Sequence, residues 1–427
     1  MATPTELSTN PADSKEAGST SNQPRQRLMK LIFLLASIVF SVAVFLTLDW
    51  FHTAKIQRNS KSTFNPDPCR VRDPVRHHAF KPNCASTDYW GTEKYKFFTN
   101  SLGFRDERIR EVPLTDPRPR ILILGDSFTQ GEIAWPDSFV GRIATRFPQY
   151  DFLNGGVAGY SPSNYLNTTR MVLAAGVKFD EVIVFLDNSV VAQEAGFYRD
   201  VDASGAVIRI APEQRSAVSG CAKWRSLVSQ HLMLTAHLLK FLDRVQRLLV
   251  RHGYYHLPAT EFGNPFDSEF SAWTYRVVNE SAPYPAGYAP LGVEGGIAKG
   301  KAKMTLLWEE LEKRTIPLSI VVYPHLAQVV HDTPDSRGVR LWREWCEDKC
   351  KRFISVYPAF FAVKDQCPGS EPGCWYSSLF VVGDIHYAAA GNALVADGVI
   401  KSLEEEPPVK RPGESPQHAS GPGLGAY

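Results

Sequence analysis

Ser127 closes the triplet Gly125-Asp126-Ser127, and far downstream Asp384 and His386 stand two residues apart in the run Val381 to Tyr387. A hydroxyl, an imidazole and a carboxylate are the three groups that nucleophilic acyl transfer needs. The serine is a weak nucleophile alone; an imidazole must take its proton, and an acidic partner must hold that imidazole in the right tautomer. Each motif also has a plain structural reading. Gly-Asp-Ser is ordinary turn chemistry, Asp384 can cap the helix that follows it, and His386 can be a surface loop residue. The setting of Ser127 raises it above that reading, because it follows a continuous apolar run, Arg120 to Leu124, and precedes a helix. That places its hydroxyl at the C-terminal edge of a sheet, where open α/β folds carry their sites.

The elements that must position these groups follow from the pattern of the chain. Short apolar runs bounded by turn residues alternate with longer amphipathic stretches, the signature of an α/β domain with a largely parallel sheet. After 120–124, buried strands are expected at Tyr150 to Leu153, Glu181 to Leu186, Leu318 to Tyr323 and Phe353 to Val356. Crossover helices are expected at Ser138 to Phe147, Tyr165 to Ala175, Lys303 to Lys313 and Ala389 to Leu403. A block from about 196 to 300 fits no βαβ repeat and reads as a helical insertion. Within it Leu238, Leu242, Val245 and Leu249 mark one apolar face of a helix from about 227 to 250, which packs on the core or, in a sharper reading, covers the site.

Leu31 to Leu48 is uncharged and just long enough to span a bilayer. Basic residues flank it on both sides, so charge leaves its orientation open. An uncleaved anchor is expected over a signal peptide, since the run exceeds a typical signal core and no small-residue cleavage site follows. All 7 cysteines lie beyond the span, and six fall in close pairs: Cys69 with Cys84, Cys346 with Cys350, Cys367 with Cys374. Such pairs suit disulfides in an oxidising compartment and put the domain outside the cytoplasm, N-terminus inside. The last four cysteines lack the tight knuckles of a zinc site, and Cys221 is left over as a buried thiol. The expected organisation is a disordered cytoplasmic tail (1–27), a transmembrane anchor (28–50), an extracytoplasmic linker (51–95), the catalytic domain (96–403) and a disordered tail (404–427).

With these motifs in place, the sequence resembles the SGNH or GDSL hydrolase family, most of all bacterial membrane-anchored extracytoplasmic members related to polysaccharide O-acetyltransferases. Three blocks carry the resemblance in family order: Ile121 to Gln130 with Gly125-Asp126-Ser127, Asn154-Gly155-Gly156-Val157-Ala158-Gly159-Tyr160, and Gly383-Asp384-Ile385-His386-Tyr387. It covers about residues 96 to 195 and 300 to 400. It implies a three-layer α/β/α sandwich of flavodoxin-like type, with Ser127 as nucleophile, His386 as base and Asp384 orienting it. The oxyanion hole would draw on the N–H groups of Ser127 and Gly159. The block that usually supplies a third donor from Gly-x-Asn-Asp reads Phe185-Leu186-Asp187-Asn188-Ser189 here, so Asn188 is the expected helper, with Asp187 and Ser189 as rivals for the position.

The implied activity is hydrolysis of an ester, or O-acyl (acetyl) transfer, on cell-envelope or exported carbohydrate, with no metal and no cofactor. Transfer would call for a separate multi-span acyl donor protein, because one span cannot move acyl groups across the bilayer. The alternative is a non-catalytic scaffold that binds glycan or assembles a polysaccharide-export complex, motivated by the altered third block. Nucleic acid is set aside, since 47 Lys plus Arg against 45 Asp plus Glu leave no broad basic footprint. Of the remaining residues, His77-His78 reads as a solvated loop and His325 as a candidate pocket-lining residue. Asn167 and Asn279 begin glycosylation sequons. Trp90, Tyr160 and Trp375 are either core or a sugar-stacking face.

Overall fold

The computed structural model describes residues 23–59, 68–90, 93–200, 206–209, 232, 234–235, 238, 241–242, 245, 272–275, 288–367, 372–381 and 384–411. The chain forms two compact units, one of residues 1–63 with 223–239, the other of residues 64–222 with 240–427.

In the first unit a helix runs from Gln23 to Asn59. Its stretch Gln26–Ala54 is long and apolar enough to cross a membrane, and so suits either an anchor or a signal sequence. Residues 23–27, expected to be tail, already belong to this helix. Phe33 and Phe40 are 76% and 70% exposed, as a lipid-facing surface requires. Near its end the Asp49 carboxylate accepts hydrogen bonds from the N–H groups of Leu234 and Thr235 (2.9 and 2.7 Å).

The second unit carries the site. Its strands are β1 (Arg70–Asp73), β2 (His77–Phe80), β3 (Ala85–Trp90), β4 (Glu93–Thr99), β5 (Arg105–Asp106), β6 (Arg120–Leu124), β7 (Asp151–Asn154), β8 (Glu181–Leu186), β9 (Tyr198–Asp200), β10 (Val207–Arg209), β11 (Leu318–Val322) and β12 (Cys350–Ser355). Eight of them form one sheet in the order β12-β11-β8-β6-β7-β5-β4-β3. From β12 to β7 neighbouring strands run parallel, and β5, β4 and β3 extend the sheet antiparallel. The chain leaves β6 to one side for β7 and returns to the other for β8, so a crevice opens at the C-terminal end of β6.

Alternation along the central strands divides the core in two. Leu122, Leu124, Val182, Val184 and Leu186 face one cluster, whereas Ile121, Ile123, Ile183 and Phe185 face the other. Helices cover both faces. Pro162–Ala174, Gly292–Glu312 and Arg337–Cys346 lie on the first, Phe139–Arg146 and Ala389–Glu405 on the second, and Tyr357–Asp365 contributes to both. This is the expected three-layer α/β/α sandwich. Each fully buried aliphatic side chain contributes on the order of 1.5–3 kcal/mol, which is why strands covered on both sides read as unbroken apolar runs.

Disulfides join Cys69 to Cys84, Cys346 to Cys350 and Cys367 to Cys374, the expected pairs. Other expectations need correction. The segment taken as linker is folded from residue 68 onward. Thr99 bridges Cys84 and the carbonyl of Lys81, and β3 pairs along its length with β4. The tail taken to start at 404 stays ordered to 411, where Lys410 Nζ and the Arg411 N–H both bind Asp180 (3.0 Å each). Asn167 is 2% exposed and so closed to glycosylation, while Tyr160 and Trp375 are core. Cys221, Asn279, most of the helix at 227–250 and the Trp90 side chain lie outside the described residues.

Candidate active site

Strand β6 ends at Leu124, and the chain turns at once into a short helix, Ser127–Gln130, capped by Asp126, whose Oδ1 accepts the Phe128 N–H (3.0 Å). Ser127 is thereby the first residue of that helix, half-buried at the sheet edge. At a first position the N–H has no intrahelical partner, so it is free to meet a negative oxygen.

The second stretch arrives from the far end of the chain. Phe380 bridges to Tyr387, Val381 N–H donates to the carbonyl of His386 (2.9 Å), and Tyr387 hydroxyl donates to the carbonyl of Pro324 (2.5 Å), which pins the loop against the sheet. There His386 Nε2 lies 2.7 Å from Ser127 Oγ, and His386 Nδ1 lies 2.6 Å from Asp384 Oδ1. The same carboxylate oxygen accepts the backbone N–H of His386 (3.0 Å), and the Phe128 ring packs 4.6 Å from the imidazole. In the neutral imidazole with Nδ1–H donated to Asp384, Nε2 presents its lone pair to the serine hydroxyl. The structure thus brings Ser127, His386 and Asp384 into one hydrogen-bonded chain.

Gly159 sits in the loop after β7. Its φ of +81° lies where an L side chain is strained, and its N–H makes no hydrogen bond among the described residues. The loop approaches the serine turn closely; a Cβ at Gly156 would come within 2.7 Å of the Gln130 nitrogen. Three side chains hold it. Gln130 Oε1 accepts the Ala158 N–H (2.8 Å), His78 Nε2 meets the Ala158 carbonyl (2.9 Å), and the Tyr198 hydroxyl donates to the Gly159 carbonyl (2.7 Å). His78, read as a solvated loop residue, is a half-buried member of β2 doing this positioning.

Asn188, the expected third donor, follows β8 and makes one side-chain hydrogen bond among the described residues. Its Nδ2 reaches Thr274 Oγ1 (3.4 Å), and its main-chain carbonyl accepts the Trp273 indole N–H (3.3 Å). Ser189 N–H and hydroxyl both bind Asp187 Oδ1 (3.0 and 2.7 Å). Asp187 Oδ2 pairs with His325 Nε2, and both residues are buried. His325 therefore supports the sheet edge from inside rather than lining a pocket. The charge of Asp187, which would oppose an oxyanion if it faced one, is met by His325 instead.

Two of the buried carboxyls titrate in opposite directions. Burial, reinforced by the nearby Asp187 charge, pushes Asp126 well above the usual carboxylate range. Burial acts on Asp187 too, but His325, Ser189 and Asp126 outweigh it and hold its pKa down. Burial thus favours the neutral form of Asp126, whose Oδ1 also accepts the Tyr323 hydroxyl (2.8 Å). An amide can make the same bonds. Asp126→Asn is expected to change stability by no more than about 1 kcal/mol, measured by urea denaturation; a loss of several kcal/mol would show that the carboxyl is needed ionised.

One residue of the site had no signal in the sequence. Glu132, two residues past the Ser127 helix, turns its Oε2 to within 3.5 Å of His386 Nε2 and is 7% exposed. Burial raises its pKa to about 7. Burial also disfavours the imidazolium of His386, yet the carboxylates of Glu132 and Asp384 more than offset this and lift its pKa to about 9. Asp384 is resisted by burial but held low by His386.

No protein-family model matches the sequence, and no curated protein matches it. Among solved structures the chain is similar to an acetyl xylan esterase from Geobacillus stearothermophilus, at 13% identity, over 70% of this chain and 100% of that one, with a TM-score of 0.35. It is similar to a lipolytic protein of the G-D-S-L family from Veillonella parvula (12% identity, 67% and 98%, TM-score 0.32). An esterase from a Pseudoalteromonas species also resembles it (9% identity, 67% and 98%, TM-score 0.32).

Proposed function

We propose that this chain is a serine ester hydrolase of the SGNH type, in which Ser127 attacks the ester carbonyl, His386 takes and returns the proton, and Asp384 orients His386. The observation that carries the reading is the unbroken chain Ser127 Oγ, His386 Nε2 (2.7 Å), His386 Nδ1, Asp384 Oδ1 (2.6 Å). It provides a nucleophile, a base and an orienting carboxylate in the order acyl transfer requires. The N–H groups of Ser127 and Gly159 serve as oxyanion donors. With the Asn188 amide hydrogen-bonded to Thr274, the hole works with main-chain donors, at a cost of about 3 to 4 kcal/mol of transition-state stabilisation relative to a three-donor site.

Gln26–Ala54 acts as a membrane anchor with the N-terminus inside, and the three disulfides support an oxidising compartment for the second unit. There the family resemblance points to acylated envelope carbohydrate as substrate. Transfer of the acyl group to a sugar hydroxyl uses the same machinery with a different acceptor.

A serine-reactive fluorophosphonate tests the reading. Labelling of the detergent-solubilised protein at Ser127, abolished in Ser127→Ala, is the expected result. Failure of the wild type to label under conditions that label a known serine esterase favours the non-catalytic scaffold.

A further inference from the structure

Ser127, His386 and Asp384 account for one another's hydrogen bonds, but they leave Glu132 unexplained. Its Oε2 is buried and has no hydrogen-bond partner among the described residues. That is a costly arrangement for a carboxylate. Most carboxylates buried in this unit are paired: Asp187 binds His325 and Ser189, Glu194 binds Ser161 and Ser163, and Glu181 binds Ser319 and Arg352, while Asp332 Oδ2 is the other orphaned carboxylate oxygen among the described residues. The Glu132 oxygen is also aimed. It lies 3.5 Å from His386 Nε2, beyond a good direct hydrogen bond, and Nε2 is the atom that handles every proton of the reaction. Around it the charged and titratable groups are His386 and Asp384 on the loop after Phe380, Arg70 on β1, Asp88 on β3, and Tyr95 and Arg105 on β4 and β5.

Counting protons shows what such an oxygen can do. Once Ser127 is acylated, the incoming acceptor must give one hydrogen to Nε2. A water molecule has a second hydrogen, and an acceptor oxygen beside Nε2 is where that hydrogen needs to go. A monohydric alcohol has none to offer and would leave the carboxylate unsatisfied against its alkyl group.

We propose that Glu132 is a further catalytic residue, which together with His386 Nε2 fixes the water that releases the acyl group from Ser127 and so favours water over monohydric alcohols as acceptor. This rests on Ser127 being the nucleophile. In the step, the water oxygen bonds to the acyl carbon while His386 Nε2 takes one of its protons. The tetrahedral intermediate then collapses, the bond from carbon to Ser127 Oγ breaks, and His386 returns the proton to Oγ. The second water hydrogen, held by Glu132, leaves with the carboxylic acid. Glu132 must be ionised to accept, and burial sets its pKa near 7; His386 must be neutral to take the proton, and its pKa of about 9 places the acid limb of release there. Its charge also holds the resting His386 as imidazolium to about pH 9, so its removal lets acylation begin at lower pH.

The test uses the full-length protein in detergent with p-nitrophenyl acetate and a methanol series, comparing wild type, Glu132→Leu and Glu132→Gln. First-turnover p-nitrophenol release reports acylation, and the ratio of methyl acetate to acetate reports the acceptor. In Glu132→Leu we expect acylation to persist with its acid limb moved to lower pH, and the ester-to-acid ratio to rise about tenfold, equivalent to about 1.4 kcal/mol between acceptors. Glu132→Gln, which keeps the shape and one acceptor oxygen, should move the ratio in the same direction by a few-fold. Normal acylation with the wild-type ratio in both variants would overturn the role of Glu132 and leave that of Ser127 standing. No acetyl group on Ser127 in the wild type would overturn both.

Discussion

Turnover of an activated acyl ester is expected to fall by on the order of 10⁶-fold in Ser127→Ala, by a similar factor in His386→Ala, and no further in the double variant. The reason is geometric. A single hydrogen bond of 2.7 Å couples the hydroxyl to the imidazole, so each is useless to the reaction without the other. Removing either group removes the whole nucleophilic route, and what remains is the background supplied by the oxyanion donors and by binding. The measurement is kcat/KM for p-nitrophenyl acetate in the three variants, after circular dichroism shows them folded. Single losses of only a few-fold, or losses that multiply in the double variant, would mean that the two side chains act independently and that the triad reading is wrong.

The largest stability effect is expected beneath the site. Asp187→Ala should cost about 3–5 kcal/mol, because it leaves His325, which is fully buried, without the carboxylate that partners its Nε2. Nδ1 of the same ring already lacks a partner among the described residues, so the imidazole would keep no hydrogen bond at all. Urea denaturation of the second unit checks this, with an unchanged slope showing that the comparison is of like states. Replacing both partners by apolar residues, Asp187→Leu with His325→Phe, should recover much of the loss, since the cost lies in the stranded group more than in the lost attraction. A loss below about 1 kcal/mol in Asp187→Ala would sink the argument. The pH dependence has a definite sign. The native pKa of Asp187 is depressed, so its contribution is present above the ordinary carboxylate range and is lost as the pH falls through the native value.

The composition of this chain was enough to locate β6, β8 and β11, because strands covered on both faces need apolar residues at nearly every position and announce themselves as near-continuous runs. Strand β6 in turn marked Ser127. The three disulfides were legible because the cysteines fall in pairs only 4, 7 and 15 residues apart, which bring their own partners. The strands from β1 to β5 were not legible. They are two to seven residues long, carry charges, and gain their identity only by pairing with one another and with β7. The family resemblance offered Asn188 as an oxyanion donor, but the direction of its side chain depends on what packs beside it, here Thr274.

What the residues determined by themselves is the chemistry on offer: a serine at a strand end, an Asp-x-His pair, a glycine-rich turn, a span and a set of cysteines. The tertiary structure decided which of these groups meet and what stands beside them. Glu132 shows the difference most plainly. In the chain it is one acidic residue among many, five positions from the nucleophile. Its burial, its unpaired oxygen and its approach to His386 come from the closing of a loop that belongs to the other end of the domain. Local patterns report propensity and burial; electrostatic environment is a sum over neighbours that only folding assembles.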